Sequence, residues 1–82
     1  MIDIINFNKL RQYEGWMKKF RLFEEDRRNK LRSSMPYIDP ATKKELAKIY
    51  ESATGGIACG SCDSEWLVRL ASEYFETMES FK

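Results

Sequence analysis

The apolar residues of the C-terminal segment, residues 63–80, recur at steps of three and four, which predicts a helix. Val68 and Phe75 lie off the main stripe, so the apolar arc spans about 200°, against roughly 100° for a helix that buries one side. A chain of 82 residues has room for one small core. We therefore expect the rest of this small domain to have too little surface to bury the whole apolar arc of this helix. The main stripe comprises Trp66, Leu67, Leu70, Ala71, Tyr74, Met78 and Phe81.

Residues 8–33 form a second periodic stretch. The spacing predicts one long helix, which would measure about 37 Å at 1.5 Å per residue. Residues 1–7 fit either an extended or a helical conformation, and we expect them to form an arm that docks on the core. Asn6 or Asn8 is a candidate cap for the start of the long helix. Its apolar stripe comprises Leu10, Tyr13, Trp16, Met17, Phe20, Phe23 and Leu31.

The segment between the two stretches contains clear start and stop signals. Pro36 and Pro40 disfavour helix at the residues before them. Asp39 followed by Pro40 is a typical helix start, and Gly55 is a typical left-handed end. These signals predict a helix over residues 40–54. The chain is thus expected to be a single all-α domain with three helices, at 8–33, 40–54 and 63–80, the two shorter ones packed on the first.

The formal net charge of +1 conceals a split along the chain. Residues 9–48 carry a net charge of +6, and residues 49–82 carry a net charge of −4. Either the two halves pack against each other, or the basic half meets an acidic partner. Nucleic acid is one such partner, because a basic helix face offers a track for phosphates. That face comprises Arg11, Lys18, Arg21, Arg28 and Arg32.

Acidic residues one turn before the cations argue against a free basic face. Glu14 precedes Lys18, Glu24 precedes Arg28 and Asp26 precedes Lys30 by four residues each, the favourable order for ion pairs on a helix. These pairs favour a solvated, salt-bridged surface. Protein binding and nucleic-acid binding remain the alternatives.

Cys59 and Cys62 form a CxxC motif at the start of the third predicted helix. The positive end of a helix dipole lowers the pKa of a thiol there, which would suit redox chemistry. A zinc site needs four ligands, so it would require a second copy of the chain, although Asp63 adds one carboxylate. The third interpretation is two small structural thiols beside the core. Zinc is the one cofactor that the motif suggests.

Several function classes are disfavoured. The chain has no His, which excludes a Ser-His-Asp triad and a His general base. Glu24 with Glu25 and Glu73 with Glu76 lie on polar helix faces and form no convincing acid–base pair. We therefore predict a non-enzymatic protein without catalytic residues. No apolar run approaches the roughly 18 residues that span a bilayer, and we expect no secretory signal and no membrane partner.

The wide apolar arc favours a protein partner or self-association, because monomers avoid large exposed apolar patches. The predicted contact residues are apolar side chains of the C-terminal helix and cations of the first helix. The alternative is that the N-terminal arm covers that side through Ile2, Ile4, Ile5 and Phe7. The predicted contacts are Trp66, Val68, Phe75, Phe81, Arg21, Arg28 and Arg32.

Residues 49–55 read Ile-Tyr-Glu-Ser-Ala-Thr-Gly and are followed by Cys59-Gly-Ser-Cys62 and a predicted helix. This arrangement, over about residues 46–75, resembles small uncharacterised proteins of tailed bacteriophages with a Leu/Ile-Tyr-x-x-x-Thr-Gly segment, a CxxC motif and a closing helix. The resemblance implies a phage accessory or virion-associated protein made in the host cytoplasm, with protein binding favoured over catalysis. It assigns no functional residue.

Overall fold

The computed structural model describes residues 2–58, 60 and 63–81, which form four α-helices and no strand. The predicted all-α class is confirmed, but the predicted number of three helices is wrong. The helices are α1 (Ile4–Arg11), α2 (Glu14–Arg28), α3 (Pro40–Thr54) and α4 (Asp63–Ser80).

The predicted long helix over residues 8–33 is in fact two helices that meet at Gln12 and Tyr13. The Tyr13 N–H donates to the Leu10 carbonyl at 2.8 Å, a tight i→i−3 bond that ends α1. The longest dimension of the molecule is 35 Å, shorter than the predicted helix. The break lets α1 pack on α3 and α4 while α2 packs on α4. Leu10 and Met17, on either side of it, are both fully buried.

Helix α2 also ends earlier than predicted, at Arg28, because Lys30 takes the left-handed conformation with φ of 59°. The Lys30 N–H donates to the Arg27 carbonyl at 3.1 Å, and the Leu31 N–H donates to the Asp26 carbonyl at 2.9 Å. This pair of bonds is a Schellman motif. Leu31 consequently leaves the apolar stripe on which the periodicity placed it and is 59% exposed.

Helix α3 has the bounds that the start and stop signals predict. The Asp39 carboxylate accepts hydrogen bonds from the backbone N–H and the hydroxyl of Thr42, both at 2.9 Å. These bonds favour the charged form and hold the pKa of the Asp39 carboxyl below its usual value. At the other end, the Gly55 N–H donates to the Glu51 carbonyl with φ of 72°. Helix α4 likewise covers the predicted residues.

The N-terminal residues cover part of α4. The Ile2 side chain is buried, and its backbone N–H donates to the Thr77 hydroxyl at 2.9 Å. Asp3, rather than Asn6 or Asn8, caps the first helix by accepting from the Asn6 N–H. Ile4 and Ile5 stay exposed. The arm that was expected at residues 1–7 is therefore partly the first turn of α1, and only some of its apolar residues reach the core.

All four helices contribute to one buried cluster, and α4 contributes the most side chains. It consists of Ile2, Phe7, Leu10, Met17, Phe20, Leu46, Ile49, Tyr50, Trp66, Leu67, Leu70, Ala71 and Tyr74.

Candidate protein-binding groove

Two of the predicted partner contacts, Trp66 and Val68, lie in the interior. They are 5% and 9% exposed. The Trp66 ring packs 5.6 Å from the Tyr50 ring of α3, and its indole N–H donates to Asp63 at 3.2 Å. Since α3 and the start of α4 cover Trp66, this residue stabilises the fold. The apolar surface that α4 offers to a partner is thus smaller than predicted.

Phe75 and Phe81 remain nearer the surface, in separate surroundings. Phe75 is half-buried and lies beside α2, where the Arg21 guanidinium sits 4.8 Å from its ring centre. Phe81 is 55% exposed, and its ring lies 5.2 Å from that of Phe7 on α1. The structure therefore does not join these two residues into one patch.

An open groove of about 430 Å³ runs between α2 and α4. It brings together three of the predicted contact residues, Arg21, Arg28 and Phe75. Phe75 supplies its aromatic surface, and charged side chains form most of the remaining wall. The lining residues are Arg21, Glu24, Glu25, Arg28, Ser72, Phe75, Glu76 and Glu79.

The cations of the groove are already paired on their own helix. Arg21 lies 3.5 Å from Glu25, and Arg28 lies 3.1 Å from Glu24. Arg27 also pairs with Glu24, at 2.7 Å. Arg21 and Arg28 therefore offer little free positive charge to an acidic partner.

The predicted ion pairs along the helix surface are present in two cases out of three. Glu24 with Arg28 is one, and Glu14 with Lys18, at 3.8 Å, is the other. Asp26 and Lys30 make no ion pair, because Lys30 lies beyond the end of α2.

Two carboxylates in the groove have no ion-pair partner among the described residues. Glu76 and Glu79 are exposed on successive turns of α4, and no residue in the described part of the chain forms an ion pair with either. The uncompensated charge beside Phe75 is negative, opposite in sign to the charge that the sequence analysis assigned to the contact surface. Sequence reasoning placed both residues on the polar side of the C-terminal helix and assigned neither of them a binding role. The sequence does contain a signal for this site, because Glu76 and Glu79 are spaced so that they lie beside Phe75 at the edge of the apolar arc.

Arg32 lies outside the groove, in the segment that connects α2 to α3. Together with Lys30 and Leu31 it forms an exposed corner, here named the basic tip (residues 30–32). Within the described ranges, no acidic side chain forms an ion pair with Lys30 or Arg32. The basic tip follows Arg28, a groove residue, by two positions, so groove and tip lie on neighbouring parts of the surface.

The basic face proposed for nucleic acid is interrupted. Arg11 belongs to α1, and the break at Gln12 and Tyr13 separates it from Lys18 on α2. Lys18 also faces Glu14. Binding of nucleic acid through this face stays a prediction.

The CxxC motif lies outside the described residues, since neither Cys59 nor Cys62 is among them. The neighbouring Asp63 is described, and its two carboxylate oxygens bind Lys43 at 2.9 Å and Trp66 at 3.2 Å. Residues 2–58, 60 and 63–81 contain no group of three or more His, Cys, Asp or Glu side chains that would hold a metal ion. The zinc-bridged dimer stays a prediction.

Tyr74 joins α4 to α2 near the groove. Its side chain is 1% exposed, and its hydroxyl donates to the Glu14 carboxylate at 2.8 Å. Burial, and then this hydrogen bond and the negative charge of Glu14, raise the pKa of Tyr74 to about 12. The phenol stays neutral and fixes the position of α4 against α2.

Comparisons with family models, curated proteins and solved structures give no match to this chain. In the part of the chain that the structure describes, no helix combines the length and the apolar character required to cross a membrane.

Proposed function

We propose that the chain is a non-enzymatic protein-binding module that receives its partner in the groove between α2 and α4. The observation that supports this is the position of the half-buried Phe75 ring beside Glu76 and Glu79, two carboxylates without an ion pair in the described part of the chain. This combination suits an apolar side chain flanked by cations.

Typical interaction energies indicate which contacts contribute most to affinity. Exposed ion pairs contribute about 0–1 kcal/mol each, so Glu76 and Glu79 supply orientation and salt dependence. A buried aromatic contact supplies about 2 kcal/mol or more. Phe75 is therefore the main source of affinity in this proposal. The groove alone is too small for a standard interface of about 1,200–2,000 Å², so we expect reversible binding.

The resemblance to tailed-bacteriophage proteins suggests the biological setting. In that setting the module is a phage accessory or virion-associated protein in the host cytoplasm. It either associates with itself or covers a surface of a larger protein.

Capture from a nuclease-treated bacterial lysate, to which free wild-type chain has been added, tests the proposal. Immobilised wild-type chain is compared with the groove variant, E76K/E79K, which reverses the two free carboxylates. E45K/E65K serves as the control, because it makes the same change in net charge on exposed helix positions outside the groove.

The wild type and the control should retain the same proteins, and the groove variant should lose them. Retention of all of these proteins by the groove variant would contradict the assigned surface. Capture that nuclease abolishes would instead indicate nucleic-acid binding.

A further inference from the structure

We infer that the partner of the groove is a second copy of this chain, whose basic tip (residues 30–32) docks beside Phe75, while the tip of the first copy docks in the groove of the second. This inference rests on the proposed function of the groove. It assigns the occupant and predicts a two-fold symmetric dimer.

The backbone holds the basic tip in a defined conformation that is energetically unfavourable for a residue with a Cβ atom. Lys30 has φ of 59°, and in the described part of the chain it is the one non-glycine residue with positive φ. Glycine or asparagine is usual at this position, because a Cβ atom crowds the following carbonyl in the left-handed region. Such conformations cluster at functional sites. Two backbone hydrogen bonds, from Lys30 and Leu31 to the last turn of α2, hold the tip in place.

The same turn leaves Leu31 without its usual contact. In a Schellman motif, the apolar residue after the left-handed position packs back on the last turn of its own helix. Here the corresponding positions are Glu25 and Asp26, so no apolar surface is available there. Leu31 is 59% exposed.

Tip and groove are complementary in chemistry. In the tip, Leu31 lies between Lys30 and Arg32, and neither cation has an ion pair within the residues described. In the groove, Phe75 lies beside Glu76 and Glu79. Among the exposed large apolar residues that the structure describes, Leu31 alone has a cation on each side. The tip thus supplies an apolar side chain for Phe75 and two cations for Glu76 and Glu79.

The placement of the two features allows both contacts to form at once. Arg28 lines the groove, and the basic tip starts two residues later, so the two features are neighbours on the surface. A two-fold axis through this part of the surface would set each tip opposite the groove of the other copy, as an isologous interface requires. Within one chain the tip makes no ion pair with Glu76 or Glu79 in the described residues, so the groove stays open to a second copy.

Sedimentation equilibrium in reducing buffer tests the dimer from about 10 µM to about 1 mM, a range suited to a small interface. The wild type should dimerise with a dissociation constant on the order of 0.1 mM that rises with salt. The groove variant, E76K/E79K, and a tip variant, K30E/R32E, should each weaken dimerisation by at least about tenfold, because like charges then face each other.

The decisive sample is the equimolar mixture of the two variants. In a heterodimer of one groove variant and one tip variant, both contacts join opposite charges. The mixture should therefore dimerise as strongly as the wild type. Circular dichroism of each variant should match the wild-type spectrum, so that loss of folding does not account for the result.

Three results would overturn the inference. A wild-type chain that stays monomeric at about 1 mM and low salt would rule out the dimer. The proposed function would still hold in that case if the groove variant loses its partners in the lysate experiment. Dimers of the wild type without recovery in the mixture would place the interface elsewhere, for example around Ile4 and Phe81. A dimer that a chelator dissociates would be the zinc-bridged one.

Discussion

The two halves of α4 have similar apolar sequences and lie in different surroundings. In the first half, Trp66, Leu67, Val68, Leu70 and Ala71 are all buried. In the second half only Tyr74 and Thr77 reach the same depth, while Phe75 and Met78 are half-buried. Phe81, the residue that follows α4, is exposed. The width of an apolar arc therefore indicates how much of the helix surface is apolar. It does not show which end is left for a partner, because that depends on where the other helices cross.

The largest loss of stability should come from a substitution in the first half of α4. Leu70→Ala removes a fully buried side chain and should lower the free energy of unfolding by about 2–5 kcal/mol. Urea denaturation followed by tryptophan fluorescence measures the loss. Ser72→Ala, an exposed neighbour, serves as the control and should change stability by less than about 0.5 kcal/mol. A loss below about 1 kcal/mol for Leu70→Ala would contradict the core assigned to this half.

Tyr74 marks the boundary between the two halves. Tyr74→Phe should cost about 1 kcal/mol, because the lost hydrogen bond has a charged acceptor that is partly exposed and accessible to water. Since the pKa of Tyr74 is raised in the folded state, its contribution is complete below pH 10 and should disappear as the pH rises from 10 towards 12.

Denaturation at several pH values tests this contribution. Between pH 10 and about 12, the stability of the wild type should fall more steeply than that of Tyr74→Phe. Parallel curves would mean that the buried phenol does not control this range.

The exposed residue that follows α4, Phe81, should tolerate the loss of its ring. Phe81 keeps less than half of its surface buried, so Phe81→Ala should cost about 1 kcal/mol or less. Thermal unfolding by circular dichroism is sufficient for this comparison. A loss as large as that of Leu70→Ala would show that Phe81 is part of the core after all.

The smallest effect on stability concerns the basic tip, which follows the groove residue Arg28 by two positions. Lys30→Gly should raise stability by up to about 1 kcal/mol, because glycine adopts positive φ without crowding at its Cβ position. The measurement is chemical denaturation at high salt, where dimerisation does not contribute. Destabilisation by this substitution would argue that the side chain of Lys30 holds the turn.

Local signals predicted some elements of the fold well. Asp39, Pro40 and Gly55 define α3 because capping and left-handed termination depend on a few adjacent residues. The break at Gln12 and Tyr13 has no proline or glycine at the break itself, and it follows from how α1 and α2 pack on the rest of the molecule. Sequence periodicity does not contain that information.

The candidate site was predicted in a similar, partial way. The width of the apolar arc identified Phe75, and the helical spacing identified the ion pair of Glu24 with Arg28. The left-handed conformation of Lys30 was not foreseen, because a lysine is unusual there, and so Leu31 was placed on the buried side. The sign of the free charge in the groove depends on which ion pairs form on the folded surface, and periodicity does not specify these pairs.

We propose the groove between α2 and α4 as the surface that binds protein. A dilution series by NMR with ¹⁵N-labelled chain tests it directly, since amide shifts report contact residue by residue. We expect concentration-dependent shifts at Ser72, Phe75, Glu76 and Glu79 and at the basic tip, with none at Glu65. Shifts confined to α1 and α3, or none at any concentration or with any captured partner, would contradict it.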